Sequence, residues 1–206
     1  MARKPVDRPD LVALAFTLIA ERGWRGFSFT ELARRAKLPL ASVYAEFPNR
    51  GALLRRLGKR LDAQMLDIDT ADLEGLSPRE RVFELVMRRF DAMAPFKEGL
   101  RALSRQAPAD PALAAAGLCN LARLTDRLLD AAETGHGSAP RAMLARKALG
   151  VVYARVFGVW LDDATPDLAR TLAELDRRLQ QVEGLARWFG GGRGRRPDAE
   201  AAAAPA

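Results

Sequence analysis

Apolar side chains recur along this chain at intervals of three and four, the period that places them on one side of an α-helix. Leu11, Leu14, Ala15, Leu18 and Ile19 form the first such stripe and predict a helix from about Arg8 to Arg22 that Gly23 ends. Ser28-Phe29-Thr30-Glu31 has the spacing of a capping box, so a second helix starts near Phe29 and runs through Leu32, Ala33 and Ala36. Pro39 suits the first turn of a third helix, which must stop by Phe47 because Pro48 disfavours helical geometry in the residue before it. Asn49 caps a fourth, longer helix carrying Leu53, Leu54, Leu57, Leu61 and Met65. Farther on, Ser77-Pro78, Asp110-Pro111 and Thr165-Pro166 each put a capping side chain before a proline and predict three helix starts. The later helices fall at about 78–93, 95–107, 111–133, 140–162 and 166–188, with no alternating strand pattern between them. The expected fold class is all-α.

Two short helices joined by a tight turn at Lys37-Leu38, with a packing helix before them, make a helix-turn-helix by geometry alone. In such units the second short helix enters the major groove with its first residues nearest the bases, and helix N-termini hold phosphates. The chain then divides into a helix-turn-helix domain at 1–65, a helical bundle at 66–189 joined to it by the long fourth helix, and a tail at 190–206. That Gly/Arg/Ala tail follows the last apolar residue and reads as disordered.

Charge sharpens this picture. Residues 1–65 hold 13 Lys and Arg against 6 Asp and Glu; the totals of 33 and 26 leave 20 of each beyond. All of the net +7 is thus in the first third, which is what a phosphate-facing module needs, since neutralising phosphates releases counterions. Composition narrows the rest: with 49% hydrophobic residues the chain is globular, and no apolar run approaches the ~20 residues of a membrane span. The N-terminus lacks the apolar stretch of a secretory signal, and a single Cys119 makes no internal disulfide, so a reducing cytoplasm is the expected setting.

One histidine and one cysteine also prune the chemistry. They cannot supply a multi-ligand zinc site, so neither a metal nor a cofactor is expected, and there is no phosphate-binding glycine motif. His136 lies between Gly135 and Gly137 and reads as an exposed loop residue, whereas Cys119, among Leu118, Leu121 and Leu124, reads as a buried helical thiol. Asp162-Asp163 mark a helix end with no catalytic partner nearby. The chain is not expected to be an enzyme.

Gly23, then Phe27-Ser28-Phe29-Thr30-Glu31-Leu32-Ala33-Arg34-Arg35-Ala36, then Val43-Tyr44, Phe47, Arg50 and Leu53-Leu54 resemble the N-terminal DNA-binding domain of the TetR family of bacterial transcriptional regulators over about residues 8–60. The resemblance implies a homodimeric regulator with a C-terminal ligand-binding and dimerisation domain. The expected DNA contacts are Ser28 and Thr30 at the second helix start, Lys37 in the turn, Leu40, Ala41, Ser42 and Tyr44 on the third helix, and Arg50 at the start of the fourth. Leu40 and Ala41 can meet a thymine methyl, Ser42 a base or phosphate, and Tyr44 and Arg50 phosphates, while Val43 reads as core. Three positions depart from the family pattern: Lys37 where the turn usually has Gly, Pro39 where Ser or Thr usually caps the recognition helix, and Glu46, whose carboxylate would repel phosphates unless it points away or accepts from a cytosine amino group.

In the second half, Met87, Phe90, Met93, Phe96, Leu118 and Leu121 suit either an adaptable pocket for a small apolar effector or lipid, or ordinary core. Leu149, Val152, Tyr153, Val156, Phe157, Trp160 and Leu161 form one seam, and Leu168, Leu172, Leu175, Leu179 and Val182 another. Two such seams either bury each other within one subunit or pair with a copy. The TetR resemblance favours the second, with Val152, Val156, Trp160, Leu168, Leu172, Leu175 and Leu179 at a dimer interface. The segments 88–95 and 159–170 further resemble a less typical branch, similar to a lipid-binding accessory protein of ubiquinone biosynthesis that shares the fold without acting as a repressor. Two functions follow: a ligand-responsive repressor that binds a palindromic operator in double-stranded DNA as a dimer, or a lipid-presenting protein with a vestigial helix-turn-helix.

Overall fold

The computed structural model describes residues 9–133 and 139–190, with the side chains of 9–133 and 140–183. His136 and the tail beyond 190 lie outside them, as do the first eight residues with Arg3, Lys4 and Arg8. Among the described residues there are nine α-helices and no strand. They are α1 (Leu11–Gly26), α2 (Phe29–Ala36), α3 (Leu40–Glu46), α4 (Arg50–Leu66), α5 (Pro78–Met93), α6 (Lys97–Gln106), α7 (Pro111–Ala131), α8 (Ala139–Asp162) and α9 (Ala169–Gly190). Short 3₁₀ turns at Thr70–Leu73, Ala94–Phe96 and Ala107–Ala109 bridge α4 to α5, α5 to α6 and α6 to α7.

Caps set most of the boundaries. Asp10 accepts from the Val12 and Ala13 amides, Ser28 from Glu31, Asn49 from Ala52 and Asp110 from Leu113. Ser77 and Glu80 close a reciprocal capping box at the start of α5. α1 starts three residues later than its stripe suggests, at the Asp10 cap, and continues to Gly26 across a break at Gly23 (φ 70°, ψ 171°).

The Thr165-Pro166 start does not hold. α9 begins at Ala169, after Leu168 in the left-handed region at φ 52°. The reason is Asp163: its buried carboxylate accepts from the Thr165 amide and hydroxyl (3.1 and 2.6 Å) and from the Thr171 amide and hydroxyl (2.9 and 2.7 Å). Thr165 is thereby drawn into a turn, and its hydroxyl reaches forward to accept from Ala169 at 3.1 Å. Burial alone would raise the Asp163 carboxyl, but these hydrogen bonds outweigh it and hold the group well below the usual carboxylate range.

The core is continuous. Leu18, Ile19, Leu32, Val43 and Phe47 close the first three helices on one another, and Leu85, Phe90, Leu124, Leu128, Val156, Trp160 and Leu175 close the bundle. α1 lies along α6, where Gly99 allows close approach: an added Cβ would stand 2.7 Å from the Phe16 carbonyl oxygen. α4 touches α1, α5 and α7, and so belongs to both halves.

Candidate DNA-binding face and ligand cavity

The turn between α2 and α3 is closed by a lysine in a glycine-like conformation. Lys37 sits at φ 55°, ψ 40°, while its amide donates to the Arg34 carbonyl and that of Leu38 to the Ala33 carbonyl, which is the Schellman pattern. A residue with a Cβ is strained there by about 1 kcal/mol relative to Gly. The exposed ammonium is what the lysine brings in exchange.

α3 has seven residues and no side-chain cap at Pro39, so its place depends on packing. Val43 is fully buried and anchors it. Tyr44 leans edge-on against Phe29 at 5.4 Å yet remains 47% exposed. Leu40, Ala41, Ser42 and Glu46 are exposed beside it, and Thr30 and the capping Ser28 are exposed at the start of α2. Seven of the eight expected DNA contacts therefore share accessible surface. Glu46 borders a cleft with Arg56, Lys59 and Arg60, so its charge stands among cations.

Arg50 is the eighth, and it corrects the phosphate reading. Its guanidinium donates inward to the Trp24 carbonyl (2.9 Å) and the Phe27 carbonyl, and lies 5.2 and 5.8 Å from those two rings. It ties the end of α1 to the entry of α2. Several other cations are likewise answered within the chain: Arg35 by Glu21, Arg22 and Arg34 by Glu31, and Arg60 by Asp10. Arg25, Lys37, Arg55, Arg56 and Lys59 have no carboxylate partner among the described residues, so the outward positive charge is theirs.

A second feature lies beneath α4. A cavity of about 480 Å³ is walled by Leu54, Leu57 and Leu61 of α4, Leu100 and Leu103 of α6, Leu113, Leu118, Leu121 and Leu124 of α7, and Phe157 of α8. Of the expected pocket residues, Met93, Leu118 and Leu121 line it. Phe90, Phe96 and Met87 do not. Phe90 is buried between the Tyr153 and Trp160 rings at 5.6 and 5.4 Å. Phe96 packs on Phe16 at 5.5 Å and under the Arg60 guanidinium, and the half-buried Met87 packs against the core away from the cavity.

The cavity also has a polar floor that sequence reading missed. Arg89, 5% exposed, donates from Nη1 to Asp62, also 5% exposed, and from Nε to the Tyr153 hydroxyl at 3.2 Å. The Tyr153 hydroxyl in turn donates to the Met93 sulfur at 3.7 Å, and Arg127 pairs with the other Asp62 oxygen. Burial pushes the Tyr153 phenol up against the pull of Arg89, so it stays protonated.

The proposed dimer seam is corrected in the same way. Val152, Val156, Trp160, Leu175 and Leu179 are buried within a single chain, and Leu168 and Leu172 are half-buried there. α8 and α9 pack on each other, so the two seams bury each other inside one subunit. The apolar surface of α8 that stays open is another stripe, with Met143, Leu144 (63% exposed) and Val151 (71%). Cys119 is exposed rather than buried, next in sequence to the open Leu118 of α7. No helix among the described residues is long and apolar enough to cross a membrane.

Comparison with known proteins gives two matches along the chain. Residues 11–57, spanning α1 to the first half of α4, match the family described as bacterial regulatory proteins, tetR family. Residues 114–186, spanning most of α7, α8 and most of α9, match the COQ9 family. Among solved structures, a TetR transcriptional regulator from Nitrosomonas europaea superposes with a TM-score of 0.70 at 20% identity, over 86% of this chain and 98% of that one. A transcriptional regulator from Rhodococcus sp. Rha1 gives 0.60 at 23% identity over 87% and 97%. BioQ of Mycobacterium smegmatis gives 0.58 at 25% identity over 88% and 98%. No curated protein matches the chain. The chain thus resembles the TetR family over residues 11–57 and in its fold, and the COQ9 family over residues 114–186.

Proposed function

We propose that this protein is a ligand-responsive DNA-binding regulator, a repressor that binds a palindromic operator as a dimer in the cytoplasm and is released when an apolar molecule fills the cavity under α4. The observation that carries the reading is that α4 serves both sites. Its N-terminal turn is held against the helix-turn-helix through Arg50, and its Leu54, Leu57 and Leu61 form a wall of the cavity. Pairing of copies is assigned to the open α8 stripe of Leu144 and Val151, with the two recognition helices reaching half-sites about one turn (~34 Å) or a multiple apart. The DNA contacts are Ser28, Thr30, Lys37, Leu40, Ala41, Ser42 and Tyr44, all on accessible surface.

The test is selection of genomic DNA fragments on the purified protein, followed by quantitative binding at several salt concentrations. A regulator enriches a twofold-symmetric site and loses affinity steeply with salt. A second reading, a lipid-presenting protein with a vestigial helix-turn-helix, is favoured by the COQ9 match over 114–186. It is the outcome if no site is enriched and the protein carries a lipid whose removal leaves its weak, nonspecific DNA binding unchanged.

A further inference from the structure

The cavity is apolar along its walls, apart from Ser104 and Asn120, and cationic at its floor. Of its 20 lining residues only Arg89 is charged, and no carboxylate faces the space. Behind the lining, Asp62 is shared between Arg89 and Arg127, so one negative charge answers two positive ones and the cluster keeps a net charge of +1. Its hydrogen bonding is unbalanced in the same sense. The Arg89 guanidinium has five N–H groups, of which Nε–H goes to Tyr153 and Nη1 donates to Asp62, and a guanidinium has no acceptor. The Tyr153 hydroxyl spends its proton on a thioether, a weak acceptor, at 3.7 Å. Two buried donors on the cavity wall therefore lack a strong acceptor on the ligand side. A guanidinium meets its best partner in a carboxylate, which can take two parallel N–H bonds.

We propose, resting on the reading of this cavity as a ligand site, that its ligand is an apolar carboxylate whose anionic head is received by Arg89 and Tyr153 and whose hydrocarbon body lies among the leucines of α4, α6 and α7. At 480 Å³ the cavity falls in the range of about 300–1,000 Å³ typical of small-ligand sites, which suits a body such as a medium-length acyl chain or a substituted aryl acid. A neutral alcohol offers one acceptor and no charge. An amine brings a second cation to a cluster that already has an excess. The head group meets the same guanidinium that Asp62 of α4 holds from behind the lining, so the ligand's charge bears on a contact made by the helix that carries the DNA-binding end.

The full-length chain, stripped of bound lipid, is titrated calorimetrically with dodecanoate, dodecanol and dodecylamine, three probes with one body and three heads. Dodecanoate is expected to bind at least about tenfold tighter than dodecanol, with dodecylamine weakest. In Arg89→Met the preference of dodecanoate over dodecanol should collapse to within about threefold while the dodecanol affinity is kept. Tyr153→Phe removes one donor and no charge, retains its ring contacts, and should weaken dodecanoate alone, so it serves if Arg89→Met fails to fold. Equal binding of the three probes by the native chain, or an undiminished preference in a folded Arg89→Met, overturns the carboxylate assignment while leaving the ligand site intact. Binding of none of them overturns both.

Discussion

Asp62→Ala is the perturbation with the largest expected effect, because it leaves a buried cation without its counterion. Asp62 and Arg89 are each 5% exposed and are joined directly, and Arg127, 39% exposed at its side chain, takes the second carboxylate oxygen. Removing one member of a buried pair costs about 3–5 kcal/mol, since the remaining charge keeps its desolvation penalty and loses its compensation. Arg89 would retain only the Tyr153 oxygen as acceptor. Domains of this kind have about 5–15 kcal/mol of stability in all, so the expected loss is a large share of it. At roughly 2–4 °C per kcal/mol for a chain of this size, Tm should fall by about 6–20 °C. Asp62→Leu with Arg89→Met removes both charges and fills similar volume, and should restore most of the loss. The assay is urea unfolding followed by circular dichroism for the native chain, Asp62→Ala, and the cycle of Asp62→Leu, Arg89→Met and their pair. A loss below about 1 kcal/mol in Asp62→Ala, or a pair whose effect is the plain sum of the singles, would refute the account of a coupled buried cluster.

Three further expectations follow from other parts of the molecule. Lys37→Gly relieves the left-handed strain at φ 55° and should raise stability by about 0.5–1 kcal/mol, while lowering the salt slope of DNA binding by about one if the ammonium meets a phosphate. Val151→Asp on the open α8 stripe should yield a monomer by sedimentation without unfolding, whereas Leu179→Asp, at a buried position, should destabilise the fold itself. For Asp163 the folded carboxyl is held below its ordinary value, so its contribution is present above the unfolded pKa of about 3.9 and is lost as pH falls below it. Asp163→Asn should therefore be less stable at neutral pH and show a shallower acid dependence near pH 4 in chemical denaturation.

Local signals made the helix-turn-helix legible. The caps at Ser28, Asn49, Ser77 and Asp110 lie within three residues of the amides they serve, and the stripe of α1 faces a core that a single chain completes. What sequence reading missed depends on contacts between distant residues. Asp163 reaches Thr171, eight residues away, and thereby delays α9; a Thr-Pro pair reads as a helix start only when nothing else recruits the threonine. Arg89 and Asp62 are 27 positions apart, yet each carried a signal. Arg89 falls in the buried stripe Val82, Leu85, Val86, Phe90 and Met93 of α5, and Asp62 beside Leu61 and Met65 of α4, and a charge at a core position requires a buried partner. On α8 the error came from a helix apolar on nearly every side. The stripe with Val152, Val156 and Trp160 and the stripe with Leu144 and Val151 are both apolar, and periodicity does not say which of the two faces its own chain.

The two sites are joined by two separate ties, and the difference between them bears on how a ligand could act. The first is α4 itself, rigid across 17 residues, with Arg50 clamping the carbonyls of Trp24 and Phe27 at one end and Asp62 held by Arg89 near the other. The second runs from the end of α1 to the junction of α6 and α7, where the Trp24 indole N–H donates to Asp110 at 3.1 Å and Gln106 accepts from the Arg25 amide at 3.1 Å. Trp24 takes part in both. A molecule entering between α4 and α7 presses on the leucines of α4 and on Leu113, in the first turn of the helix that Asp110 caps. On the proposed reading, displacing α4 relative to α7 therefore strains the Trp24 region from two directions, and a ligand shifts DNA affinity only by the difference between its affinities for the strained and unstrained arrangements. Operator DNA must weaken that ligand by the same factor. Trp24→Phe keeps the ring stack on Phe27 and removes the indole donor to Asp110, so it should leave ligand binding to the DNA-free protein unchanged while reducing the mutual weakening of ligand and operator; equal coupling in the variant and the native protein would assign the transmission to α4 alone.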